Sequence, residues 1–102
     1  MRLSRKKKVE MVVEAARARQ LLQAIEKIGA TGYTVVPNVS GMGHQGKRGD
    51  DGVLGVFDNV LIIVITTEEV AMQVIERCQA LLENYAGIIY VSDVDVIRDD
   101  HF

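Results

Sequence analysis

The chain reads as strand, helix, strand, strand, helix, strand. That order predicts an α+β, ferredoxin-like (βαββαβ) fold: a four-stranded antiparallel sheet with both helices on one face. Three observations predict it. Apolar and polar residues alternate over Lys8–Glu14, the period switches to a helical one over Ala15–Ile28, and a second strand-to-helix switch follows the apolar run Val60–Ile65. A length of 102 residues makes this one domain, residues 1–102, with roughly two-thirds of the extended chain's surface buried.

The elements follow in order. Val9, Met11 and Val13 share one side of the first strand, with Lys8, Glu10 and Glu14 on the other. Leu21, Leu22, Ile25 and Ile28 form one stripe of the first helix, and Gly29 stands where a helix C′ glycine belongs. Thr34–Val39 is the second strand, and Pro37 inside it requires an edge position or a bulge. Val60–Ile65 is a strand expected to be buried on both faces. Thr66 and Glu69 have capping-box spacing for a second helix, whose buried stripe is Val70, Val74, Cys78, Leu81 and Leu82. A short turn at Asn84–Gly87 leads to a last strand, Ile88–Ile97. Strands this apolar do not face water, so the sheet is expected to self-associate through its helix-free face.

Between the second and third strands lies a loop, Ser40–Asp58, with six glycines. A loop this long in so small a domain is either functional or disordered. Five of its glycines, Gly43 to Gly55, recur every third residue, but with no proline among them a collagen reading fails. Gly41-Met-Gly43-His-Gln-Gly46-Lys-Arg places backbone donors, an imidazole, an amide and two cations within eight residues. Those are the parts needed to hold a phosphate or a small anion. It is not a Walker motif, and it does not open a helix as a dinucleotide fingerprint does.

Charge is uneven although the net is only −2: five of the twelve basic residues fall in the first eight positions, and four aspartates fall in the last ten. The basic residues 1–7 are expected to be a solvated, flexible start, and residues 99–102 a flexible tail. No aromatic residue interleaves the basic run, so nucleic-acid binding gains no support. A single cysteine excludes an internal disulfide, and no apolar run is long enough to span a bilayer. With no secretory signal either, a cytoplasmic location is expected. A catalytic centre is not assembled: no serine sits in a nucleophile elbow, Cys78 lies on an apolar stripe, and two distant histidines give no metal spacing.

Together with the element order, Gly29-Ala-Thr-Gly-Tyr-Thr-Val-Val-Pro-Asn-Val-Ser-Gly-Met-Gly-His-Gln-Gly46 resembles the PII signalling family. That family has a G-x-T-G-x-T-V core, here Gly29, Thr31, Gly32, Thr34 and Val35. A G-F-G-R-Q-like turn then begins its long T-loop, here residues 40–58, and Gly41, Met42, Gly43, His44 and Gln45 stand at the turn. The likeness runs from about Lys8 to Arg98. It implies a homotrimer that binds adenine nucleotide between subunits and contacts a protein target through the T-loop. On the matching positions, Thr34 is the adenine-binding threonine, with Gly32 and Ile65 lining the same pocket. Gly43, His44 and Gln45 face phosphate, and Arg98 comes from a neighbouring subunit's cleft wall. Gly46, Lys47 and Arg48 are candidates for bicarbonate, phosphate or target contact.

The departures shape the functional expectation. The tyrosines are Tyr33, Tyr85 and Tyr90, none of them in the T-loop, so the family's uridylylation switch is expected to be absent. The lysine-rich B-loop is replaced by Asn84-Tyr85-Ala86-Gly87, which favours ADP or AMP over ATP. Tyr85-Ala-Gly-Ile-Ile-Tyr90 resembles the PII-like branch associated with inorganic-carbon uptake and carboxysomes, some of whose members also bind bicarbonate. The residues alone do not derive bicarbonate, but the glycine loop is compatible with a planar monoanion. The resemblance thus implies a non-enzymatic regulator with no metal cofactor and no membrane insertion, whose target is a bicarbonate transporter or another carbon-assimilation protein. Three alternatives remain open: a PII-like regulator of nitrogen or metal transport, a trimeric ferredoxin-like protein binding divalent metal, and a slow nucleotide hydrolase.

Overall fold

The structure, a computed structural model, describes residues 1–41 and 58–102. Its elements are β1 (Ser4–Glu14), α1 (Ala15–Ile28), β2 (Thr34–Val39), β3 (Asn59–Thr66), α2 (Glu68–Leu81), β4 (Gly87–Val96) and a closing 3₁₀ turn, Asp99–His101. The four strands form one antiparallel sheet in the order β2-β3-β1-β4, so β2 and β4 are its edges. This is the expected ferredoxin-like arrangement.

The ladder decides which face each residue takes. Val9 pairs with Val64 and Val91, and Met11 with Ile62 and Ile89. This is the helix-covered side: Val9, Met11, Val13, Ile62 and Val64 are fully buried with Leu21, Ile25, Val74 and Cys78, Ile89 packs against them, and Val91 is 41% exposed. One residue out of phase, Glu10 pairs with Ile63 and Tyr90, and Val12 with Leu61 and Ile88. This second set forms the helix-free face, where Ile88 is 55% and Tyr90 45% exposed. The sequence expectation that β3 is buried on both faces is therefore corrected for the single protomer. Along β3 buried residues alternate with half-buried ones, because both helices cover the same side.

Both helix ends follow from their sequence. Gly29 closes α1 at φ 117°, and its N–H donates to the carbonyls of Ile25 and Glu26. A side chain at that φ is strained, which is why glycine stands there. At α2 the expected cap is shifted by one residue. Thr66 is still strand, paired with Lys7 and buried, so Thr67 becomes the N-cap and its hydroxyl accepts from the Val70 N–H at 3.3 Å. Edge strand β2 carries both features that Pro37 requires, an edge position and an irregularity: its register shifts between Val36 and Val39, and Asn38 has φ 60°.

Both termini differ from expectation. The basic start is not a flexible segment, because β1 begins at Ser4 and pairs with β4 as far as Val96. Oppositely charged partners fix it: Arg5 Nε donates to Asp95 at 2.8 Å, Lys7 Nζ to Asp93 at 2.6 Å, and Lys6 Nζ lies 2.8 Å from Asp99. Arg5 and Lys7, distant in sequence from Asp95 and Asp93, are their cross-strand neighbours, and Lys6 reaches Asp99 beyond the end of β4. The tail is not free either. Its 3₁₀ turn is closed by His101 N–H to Arg98 carbonyl at 3.0 Å, and the Thr31 hydroxyl donates to the His101 carbonyl at 2.9 Å.

Candidate functional site

Edge strand β2 and the segment before it build a cavity on the helix-free face. Thr34 stands opposite Ile63, which assigns its side chain to that face. Thr31, Gly32, Tyr33, Thr34, Ile63 and Ile65 line an open cavity of about 190 Å³, to which His101 and Phe102 of the tail add a wall. Three residues expected to share a pocket, Gly32, Thr34 and Ile65, thus come together. A Cβ built on Gly32 would meet nothing within 4 Å, so packing does not demand glycine there and the space above it is open.

The cavity offers the apolar side chains of Ile63, Ile65 and Phe102, the hydroxyl of Thr34, and the Thr31 and Tyr33 hydroxyls, which already donate to the His101 carbonyl and to Glu26. That combination suits a flat heterocycle better than a charged group. The Tyr33 ring is held at the rim, its hydroxyl donating to Glu26 Oε1 at 3.0 Å. The same hydrogen bond, with the Glu26 charge, raises the Tyr33 hydroxyl above the usual tyrosine value and keeps it protonated.

Sequence reasoning missed the tail's part in this cavity. Arg98 adopts a left-handed backbone, φ 63°, and so turns the chain away from β4. The turn carries His101 and Phe102 over Thr31–Thr34. The available signal was the pair of aspartates after β4, of which Asp99 lies 2.8 Å from Lys6 Nζ. Arg98 itself does not line the cavity of its own protomer; its backbone sets the course of the tail that does.

Tyr85, Ala86 and Gly87 lie elsewhere, at the start of the opposite edge strand. Three inter-strand steps of about 4.8 Å separate that edge from β2, so roughly 14 Å of sheet lies between the two groups. Gly87 has a packing reason of its own: a Cβ there would come within 3.2 Å of the Val12 carbonyl and the Val13 side chain. Tyr85 is 43% exposed, and the Arg17 guanidinium stacks over its ring, 4.4 Å from the centroid. Gly41 ends the described part of the loop mouth. Met42, Gly43, His44, Gln45, Gly46, Lys47 and Arg48 lie outside the described residues.

No other chemistry is assembled among the described residues. No three His, Cys, Asp or Glu side chains there come together as metal ligands. Cys78 is buried under α2, and desolvation raises its thiol to about 11, which keeps it protonated at neutral pH. No helix among the described residues is long and apolar enough to cross a membrane.

Comparison with known proteins agrees with this fold. Residues 6–101 match the family described as Nitrogen regulatory protein P-II. Among solved structures, a PII-like signalling protein from Thermus thermophilus is 33% identical, with a TM-score of 0.80 over 100% of this chain and 99% of that one. CPII from Thiomonas intermedia, a nitrogen regulatory PII-like protein bound to ADP, AMP and bicarbonate, is 28% identical. Its TM-score is 0.82, over 99% of this chain and 96% of that one. The GlnK–ATP complex of B. subtilis is 26% identical, with a TM-score of 0.67 over 88% and 82%.

Proposed function

Because the chain belongs to the P-II family, we propose that it is a trimeric, non-enzymatic sensor. It takes ADP or AMP into the clefts between subunits, with bicarbonate as a second ligand. The observation that carries this reading is the division of the candidate site. One protomer places Gly32, Thr34 and Ile65 at the β2 edge and Tyr85–Gly87 beside the β4 edge. A single ligand touches both groups only if a neighbouring subunit supplies one of them. The helix-free apolar row, half-buried at Val12, Leu61 and Ile63 and exposed at Ile88 and Tyr90, is the surface through which such neighbours pack.

In this reading the heterocycle enters the Thr34 cavity, and the phosphates run toward the neighbour's Tyr85–Gly87 turn and the loop mouth. The loss of lysines from that turn favours ADP or AMP over ATP. The T-loop, residues 40–58, then gains contacts that exist only with ligand bound, and its altered state engages or releases a target. CPII's bound ADP, AMP and bicarbonate support the ligand pair. With the Tyr85–Tyr90 segment they favour the inorganic-carbon branch, a cytoplasmic setting, and a bicarbonate transporter or another carbon-assimilation protein as target.

Calorimetric titration with ADP, with and without bicarbonate at fixed pH and ionic strength, tests this. ADP binding that tightens with bicarbonate supports two coupled ligands. ADP binding indifferent to bicarbonate leaves a nucleotide sensor and points to a second reading, regulation of nitrogen or metal transport. The GlnK–ATP structure is the observation that favours that second reading. No ADP binding in either condition overturns both.

A further inference from the structure

The turn Tyr85–Gly87 contains no basic residue, yet a nucleotide's phosphates arriving there need a positive partner. The fold brings one in from another element. The first residue of α1, Ala15, donates its N–H to the Asp58 carbonyl at 2.8 Å, which ties the helix start to the exit of the T-loop. Val13, just before it, pairs with Gly87 of β4. The first turn of α1, the loop exit and the Tyr85–Gly87 turn therefore meet at one corner of the sheet. Arg17 projects from that first turn, half-buried, and lies over the Tyr85 ring at 4.4 Å. Glu14 and Asp58 at the same corner are acidic and would repel a phosphate without an added cation.

We propose that Arg17 is the phosphate-binding cation of the second half-site, held ready on the Tyr85 ring and presented to the diphosphate of a nucleotide whose base sits in the neighbouring subunit's Thr34 cavity. This inference rests on the nucleotide reading above. Arginine suits the role because its planar guanidinium stacks on an aromatic ring while its edge N–H groups remain free to donate. The arrangement needs no lysine in the turn, so the short turn does not abolish phosphate binding.

The test compares ADP with adenosine, by displacement of a fluorescent ADP analogue from wild type, Arg17→Gln, Arg17→Lys and Tyr85→Leu. Circular dichroism and oligomer size show that each variant is folded and assembled. Arg17→Gln should weaken ADP by roughly 10- to 100-fold, the effect of one charge-assisted hydrogen bond, and leave adenosine unchanged. Arg17→Lys should restore part of the ADP affinity, and Tyr85→Leu should cost less than Arg17→Gln. Unchanged ADP affinity in Arg17→Gln overturns the inference. So does an equal loss for ADP and adenosine, which would make Arg17 only a support for the turn. If wild type binds no ADP, the nucleotide reading itself is overturned and this inference falls with it.

Discussion

At the β2 edge the protomer lines an open cavity with its own residues, Thr31–Thr34, Ile63 and Ile65, and with its own tail. At the β4 edge it sets a turn, an aromatic ring and an arginine side by side. The first edge has apolar walls and hydroxyls; the second has charge. A nucleotide has the same two-part chemistry, a flat base and an anionic chain. In the proposed reading each subunit carries both a base pocket and a phosphate-facing turn, and one nucleotide meets the two only across a subunit boundary. A sensor built this way couples its ligand to its quaternary structure.

The largest expected effect comes from separating the two edges. Tyr90→Asp places an acid beside Glu10 on the helix-free face, where the pair Glu10–Tyr90 is cross-strand. Tyr90 is 45% exposed in the protomer, so the substitution should leave the fold intact and split the assembly into monomers. Light scattering coupled to size exclusion reads this directly. An intact trimer would place the subunit interface somewhere other than this face.

Next in size is the cavity itself. Thr34→Ala removes the Thr34 hydroxyl from the cavity at an exposed edge-strand position and should weaken ADP roughly fivefold, with little loss of stability. Unchanged affinity in calorimetry would move the base out of this cavity. A control that touches neither edge is Thr67→Ala, which removes the α2 cap. It should lower unfolding stability by about 1 kcal/mol in a denaturant titration and leave ADP affinity unchanged. A loss of ADP affinity there would mean that the base cavity depends on general stability and not on its own lining.

The smallest effect concerns the terminal ribbon behind the cavity. The hydrogen bond and charge of Lys7, with Arg5 beyond it, hold the Asp93 carboxyl below its ordinary value of 3.8. A carboxylate depressed in the folded state adds stability above its unfolded value, and that stability is lost as pH falls through the folded value. Asp93→Asn should therefore lower the melting temperature slightly at pH 7, with the difference vanishing at pH values well below 3.8. The pair is solvent-exposed, so salt should shrink the difference too. A difference that persisted in acid would assign the effect to packing.

Much of the fold was legible because its signals are local. Alternation in β1, the helical stripe ending at Gly29 and the apolar run of β3 each depend on residues a few positions apart. What escaped depends on residues far apart. Lys7 and Asp93 are 86 positions apart, and only the β1–β4 ladder makes them neighbours, so a basic start that looked solvated is the beginning of the inner strand β1. Thr66 looked like a cap because its spacing to Glu69 is right, but pairing with Lys7 keeps it in the strand. In the site, Gly32 and Thr34 were legible through a motif and Ile65 through the family resemblance alone. Arg17, His101 and Phe102 were not, because nothing in their local sequence says which turn or cavity they will cover.

The most direct measurement is ADP titration of the Tyr90→Asp monomer beside the wild-type protein, with both shown to be folded. If the site is divided between subunits, wild type binds ADP and the folded monomer, with its Thr34 cavity intact, does not. A monomer that binds ADP as tightly as the wild-type assembly would contradict the divided site and place the whole ligand within one chain.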